Sequence, residues 1–250
     1  MALVIILVIG SLARAALLPS ISPLNLFLYL TTTSLLFFTF DHQRRSLYST
    51  ITVSLLFTLS PLSLSLSLST PFSISLLLAT IGFFLISLTL NKIHLKNKYL
   101  FLLLIPLFFL QFFSPNLSHL DPEYLFFSAN WHHFNFLAPY SGYLLLPSLV
   151  FLPLGLIYVL KHPAKIDLLL LLILFIVPAI NSLLPFIVIP LSHFISLGII
   201  HSSGFFKHPN VKYFYYSVVV LLYLVSLAYF SDLLLFHAPQ LTPYYLQNSL

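Results

Sequence analysis

Long apolar runs alternate with short polar connectors along almost the whole chain. The apolar runs carry at most one charge each and cover residues 1–18, 24–40, 47–90, 99–113, 140–160, 167–200 and 213–230. About 20 apolar residues are enough for one helix to cross the hydrocarbon core of a bilayer. Residues 47–90 and 167–200 are each predicted to hold two helices, the second pair being short. The pattern therefore predicts an all-α, polytopic membrane protein with about nine transmembrane helices.

The composition indicates that lipid, and not water, surrounds most of the surface. Hydrophobic residues make up 60% of the chain and charged residues only 6%, whereas a soluble protein carries roughly a quarter charged residues. The formal net charge of +5 is small and is spread over short connectors, which favours contact with a lipid bilayer and excludes nucleic-acid binding. We predict a single transmembrane domain, residues 1–250, without a separate soluble domain. Because Cys is absent, disulfides and thiolate metal sites are excluded.

Basic residues gather in four connectors between the apolar runs. These connectors are residues 41–45, 91–98, 161–165 and 206–212. Connectors rich in Lys and Arg remain in the cytoplasm, so each consecutive pair of connectors must enclose an even number of spans. The expected location is the cell membrane, with the N-terminus in the cytoplasm and with residues 114–139 and the C-terminus outside.

Residues 1–18 are predicted to form a retained first helix. A signal peptide begins with a basic segment before its apolar core, whereas the one charge here is Arg14, late in the run. The sequence Ala13-Arg14-Ala15 is loosely similar to a cleavage site, so a cleaved signal peptide stays an alternative. In a retained helix Arg14 is expected to reach a lipid headgroup or to meet an acid, because a mid-membrane Arg costs about 2.5–3.5 kcal/mol.

The longest polar connector, residues 114–139, contains a group of candidate functional side chains and no Lys or Arg. These side chains are Asp121, Glu123, Trp131, His132 and His133. Carboxylates beside imidazoles can act as acid/base groups or bind a divalent ion. Alternatively, the aromatic side chains lie at the membrane interface and the polar ones face water. We interpret the segment as an outward-facing loop on which a partner protein docks.

Part of this loop, together with the run that follows it, resembles a known family. The sequence DPEYLFFSAN, followed by APYSGYLLLPSLVFLP, is similar to the first outer loop of polyprenyl-phosphate-sugar-dependent glycosyltransferases of the integral-membrane class. The resemblance covers residues 121–153 and implies that Asp121 is a catalytic base, with Glu123 as a neighbouring acid. In that family the loop follows the first span, whereas here it follows the fifth predicted span. No Arg occurs after Arg45 to hold a lipid phosphate, so this enzyme is the alternative function.

Histidine at membrane depth forms the second candidate site. His193 lies inside the run 167–200, and His201 follows directly after that run. Ionisable residues inside membrane spans commonly mark functional sites, and imidazole can ligate haem iron. The interpretations open for His193 are a hydrogen bond between helices, a quinone contact or a single axial haem ligand. His193 and His201 are therefore the predicted cofactor-binding residues, with haem b or a quinone as the candidate cofactor.

These patterns together favour a non-catalytic hydrophobic subunit of a multi-subunit complex. Residues that could carry chemistry are few inside the apolar runs, whereas the outer loop is suited to docking a protein. The most concrete version is the membrane partner in a respiratory cytochrome or electron-transfer complex. The alternatives are the glycosyltransferase described above and a small-solute transporter.

Overall fold

The computed structural model describes residues 1–18, 21–43, 46–66, 70–90, 125–127, 142–176 and 186–237. Of these described residues 87% are helical and none is in a strand, which confirms the all-α prediction for this part of the chain. The helices are α1 (Ala2–Leu17), α2 (Pro23–His42), α3 (Leu47–Leu59), α4 (Pro61–Leu66), α5 (Thr70–Leu90), α6 (Ser148–Lys161), α7 (Lys165–Ile176), α8 (Val188–Ser203) and α9 (Pro209–Asp232). A short π-helix, Leu233–His237, continues α9.

Each predicted apolar run that the structure describes contains helix, although in the run 140–160 the helix begins only at Ser148. The run 47–90 contains α3 and α5 as separate helices, and the run 167–200 contains α7 and α8. Residues 177–185, between α7 and α8 in the sequence, lie outside the described residues, as does the run 99–113. The local apolar pattern therefore predicted the helices correctly.

Within the described residues, two helices are long and apolar enough to cross a bilayer. They are Pro23–His42, which is α2, and the continuous stretch Pro209–Phe236, which consists of α9 and most of the π-helix. The shorter apolar helical segments among the described residues have between 10 and 17 residues, among them Ser73–Thr89 within α5. Since an α-helix rises 1.5 Å per residue, about 20 residues are needed for a hydrocarbon core of about 30 Å. The two long helices favour association with a membrane.

The central helix of the described bundle is α8, in which 14 of 16 residues are buried. Its most extensive contact is with α6, and it also packs on α3 and α7. At the crossing with α6, a Cβ added to Gly155 would lie 1.7 Å from the carbonyl oxygen of Phe194. A Cβ added to Gly198 would lie 1.9 Å from the carbonyl oxygen of Phe151. The two backbones can approach this closely only because both positions lack a side chain.

Arg14 is completely buried in the last turn of α1, which corrects the expectation that it reaches a headgroup. Its Nη1 donates to the carbonyl oxygen of Thr58 at 3.0 Å, and its Nη2 donates to the hydroxyl of Ser63 at 2.8 Å. The guanidinium carbon lies 3.2 Å from the centre of the Tyr29 ring, a cation–π contact. The physical reason is that α3 ends at Leu59, so carbonyls of its last turn need a donor from outside the helix. Arg14 thus connects α1 to α2, α3 and α4.

Candidate functional site

Asp167 lies in the first turn of α7, where a carboxylate interacts favourably with the positive end of the helix dipole. Its Oδ2 accepts a hydrogen bond of 3.1 Å from the backbone N–H of Ala164, the residue directly before the helix. A carboxylate at the third helical position commonly satisfies this donor, which has no partner within the helix itself. One carboxylate oxygen of Asp167 therefore caps the start of α7. This bond also restricts the orientation of the carboxylate, and so the position of its other oxygen.

The second oxygen of Asp167 contacts a histidine in the next helix of the described chain. Oδ1 of Asp167 lies 2.7 Å from Nε2 of His193 in α8, and both side chains are 0% exposed. This distance is in the range of charge-assisted hydrogen bonds. Either Nε2–H of the imidazole donates to the carboxylate, or a protonated carboxyl group donates to Nε2, because the direction of the bond depends on the tautomer of the histidine. The pair can therefore hold a proton inside the bundle, and it also ties α7 to α8.

Aromatic rings pack around the imidazole of His193. The ring of Phe40, in α2, stacks on it with centres 5.0 Å apart and planes inclined by 12°. Phe194 approaches edge-on at 5.6 Å, and Phe40 in turn contacts Phe83 of α5 at 6.0 Å. The Asp167–His193 pair thus lies where α2, α7 and α8 meet, with α5 behind Phe40, and apolar rings separate it from solvent.

The pair lies close to two of the basic connectors. Asp167 is two residues after Lys165, and Phe40 is two residues before His42, the last residue of α2. The pair therefore lies near the end of the described bundle at which these two connectors join the helices.

The structure brings the predicted residue His193 into the centre of the bundle, whereas His201 lies elsewhere. His201 is half-buried in the last turn of α8, and its ring centre lies 4.8 Å from that of Tyr158. Eight residues along an α-helix correspond to about 12 Å, so the two histidines do not form one site. The remaining predicted site residues lie outside the described residues, and their roles stay predictions: Asp121, Glu123, Trp131, His132 and His133.

Asp167 is a functional candidate that the apolar pattern alone does not identify. In the sequence it is simply the first residue of an apolar run, 26 positions before His193. Two features of the sequence could have indicated it. It is one of only five acids in the chain, and it is the first residue of the apolar run 167–200, which also contains His193. An ionisable residue at membrane depth is expected to have an ionisable or polar partner.

Metal binding by the pair is not supported by the number of ligands near it. Within the part of the chain that the structure describes, no three His, Asp or Glu side chains are grouped to hold a metal ion. Ligation of haem iron through Nε2 of His193 would require the 2.7 Å bond to Asp167 to break. The geometry therefore favours a proton-holding or structural role for the pair.

Comparison with known protein families, with characterised proteins and with solved structures finds no match to this chain. Conclusions about its function therefore depend on the sequence and on the geometry of the described residues.

Proposed function

We propose that this protein is a multi-pass membrane protein that serves as a hydrophobic, non-catalytic subunit of a larger membrane complex. The observation that supports this function is that the side chains of Asp167 and His193 are 0% exposed and are hydrogen-bonded to each other. A catalytic acid or base has to come within hydrogen-bond reach of a substrate. Side chains that only hold helices together have to bond to each other and need no access to a substrate. Asp167 and His193 are arranged in this second way.

The proposed topology has about nine membrane-spanning helices, with the four basic connectors in the cytoplasm. It is supported by the described helices, which fall on the predicted runs, and by the two helices of sufficient length. Helices as short as α3 and α7 are compatible with a membrane protein where the backbone at their ends is buried in protein. Residues 114–139 and the C-terminus lie outside in this arrangement.

Single introduced Cys residues test this topology, because the natural chain contains none. Cys at Ser46 or Ala164, in the proposed cytoplasmic connectors, should not react with a membrane-impermeant thiol reagent in intact cells. Cys at Ser118 or Ser128, in the proposed outer loop, should react. All four positions should react after the cells are permeabilised, which controls for buried thiols. Equal labelling of both sets in intact cells would contradict the topology.

The most concrete version of the complex is a respiratory cytochrome or electron-transfer assembly whose catalytic protein docks on residues 114–139. The acids, aromatic residues and histidines of that segment support docking. The long apolar surface of α9, in which only Val219 and Phe230 are buried, supports an extended contact with lipid or a neighbouring subunit. In this version the Asp167–His193 pair holds α7 against α8, and the redox group belongs to the partner.

Gentle purification of the tagged protein from its native membrane tests the subunit proposal. We expect other proteins to co-purify in a fixed ratio, with haem bands in the visible spectrum of the complex. Asp121→Asn separates this proposal from the glycosyltransferase alternative, because a subunit should retain its complex after this change. Purification of the chain alone, with a sugar-transfer activity that Asp121→Asn abolishes at normal expression, would contradict the subunit proposal.

A further inference from the structure

An elongated apolar cavity of about 220 Å³ lies between α3, α8 and α9. Its wall extends from Thr52 in α3 to Ser60, the residue directly after that helix, and along α9 from Tyr216 to Leu227. At 1.5 Å per residue these stretches are about 12 Å and 16 Å long. No residue that lines the cavity is charged. The length and the apolar wall match an extended hydrocarbon chain better than a compact polar molecule.

Ser192 supplies a polar group to this wall. Its side chain is 0% exposed, and its hydroxyl has no hydrogen-bond partner among the described residues. Tyrosine hydroxyls on the same wall are bonded, since Tyr223 pairs with Ser148 at 2.9 Å and Tyr216 donates to the hydroxyl of Ser203 at 2.8 Å. A buried hydroxyl without a partner is unfavourable, and an oxygen atom of a ligand would remove that penalty.

The cavity opens on the apolar outer surface of α9. Val220 and Leu224 line the cavity, although they are 56% and 55% exposed. Leu221 and Val225, beside them on α9, are exposed without lining the cavity. An occupant would therefore enter from the same medium that meets the apolar face of α9, which is lipid in the proposed topology.

We propose that this cavity binds one hydrocarbon chain of a bilayer lipid, with an ester or ether oxygen of the lipid accepting a hydrogen bond from Ser192. The volume of about 220 Å³ suits a segment of such a chain, because an engineered apolar cavity of about 150 Å³ in another protein accommodates benzene, a molecule of six carbon atoms. This inference rests on the proposed insertion into a membrane and is independent of the partner subunit.

Photo-crosslinking in vesicles tests the proposal. The purified chain is reconstituted into phosphatidylcholine vesicles that contain a small fraction of phosphatidylcholine with a diazirine in one acyl chain. After illumination, the labelled residues are mapped by peptide mass spectrometry. We expect label on Ile195 and Ile199, which line the cavity and are only 1% and 4% exposed. Lipid that only surrounds the protein cannot reach these two side chains.

Matched variants on α9 test whether the diazirine-bearing lipid reaches Ile195 through the opening of the cavity. Leu224→Trp places a larger ring at the opening and should reduce labelling of Ile195 by about tenfold, the factor that corresponds to 1.4 kcal/mol. Leu221→Trp makes the same change at a neighbouring exposed position outside the cavity and should leave labelling unchanged. Ser192→Ala removes the polar contact and should reduce labelling by roughly threefold to tenfold, as expected for one hydrogen bond.

Three results would overturn the assignment. They are no label on Ile195 and Ile199 in the wild-type protein, equal labelling in the Leu224→Trp variant, and labelling by a diazirine-bearing isoprenoid quinone but not by the phospholipid. Size-exclusion chromatography checks folding, and Val220→Trp replaces Leu224→Trp if that variant aggregates. Because the assay uses the isolated chain, failure to co-purify a partner would not change its outcome.

Discussion

α8 and α9 follow one another in the chain and are both apolar, yet their surroundings are opposite. α8 buries 14 of its 16 residues, whereas α9 buries only Val219 and Phe230 of its 24 residues. The two helices also differ in the size of their side chains. α8 carries five small residues, namely Ser192, Ser196, Gly198, Ser202 and Ser203. Small residues let neighbouring backbones approach from several sides, whereas the Val, Leu and Tyr side chains of α9 present a broad apolar surface.

The hydrogen bonds made by the side chains of α8 and α9 also differ. In α8, the hydroxyl of Ser202 donates to the carbonyl oxygen of Gly198 at 2.7 Å, and that of Ser196 donates to the carbonyl oxygen of Ser49 in α3 at 3.4 Å. Tyr215, in the first turns of α9, donates to the carbonyl oxygen of Ile199 at 3.0 Å. Among the described residues, α8 is thus bonded to α3 through Ser196 and to α7 through His193, whereas the bonds of α9 to α6 and α8 come from tyrosines.

Breaking the Asp167–His193 pair is the change with the largest expected effect on α8. Asp167→Leu removes the carboxylate partner of a buried imidazole and should lower the free energy of unfolding by about 3–5 kcal/mol. Replacing both residues by Leu should recover much of this loss, because neither polar group is then buried. Denaturant titrations of the four proteins in detergent micelles give the coupling energy from a double-mutant cycle.

Two outcomes of that cycle would change the interpretation of the pair. Strictly additive losses would show that Asp167 and His193 do not stabilise the fold together. Loss of activity in the purified complex, at unchanged stability of the single variants, would show that the pair acts chemically and is not only structural.

Adding a side chain at the crossing of α6 and α8 should have a smaller effect on stability. Gly198→Ala puts a Cβ 1.9 Å from the carbonyl oxygen of Phe151, so the helices must separate, at a cost of about 1–3 kcal/mol. Gly82→Ala is the matched control, because an added Cβ at Gly82 in α5 has no atom within 4 Å. The control should stabilise the protein by about 0.5–1 kcal/mol, since Ala favours a helix more than Gly does. Thermal unfolding in detergent measures both variants, and a shift in the same direction would contradict the close crossing.

The helices were predictable because their determinants are local. Each apolar run must satisfy its backbone hydrogen bonds within itself, and an α-helix does so regardless of what the helix packs against. Residues 47–90 show this clearly, since the length of the run predicted two helices and the structure contains α3 and α5 there. The run 140–160 shows a limit, because its helix begins only at Ser148. Gly142 and the residues after it instead contact the backbone of Leu125, a contact that the local pattern does not reveal.

For Arg14, the sequence predicted the need for a compensating contact but not the partner that provides it. The cost of a charge in an apolar helix predicted that Arg14 needs a compensating contact. Which contact it makes depends on the end of α3, where Thr58 lies 44 positions away in the chain. Only the packing of α1 on α3 brings that carbonyl oxygen to the guanidinium.

For the candidate site, the sequence by itself determined that His193 lies in an apolar run, where an imidazole N–H without a partner is unfavourable. In the structure His193 is buried in α8. Only the tertiary structure decided that its partner is Asp167 and that Phe40 covers its ring. The physical reason is that helix formation depends on contacts a few residues apart, whereas these partners come from different helices whose relative positions depend on the packing of the whole bundle.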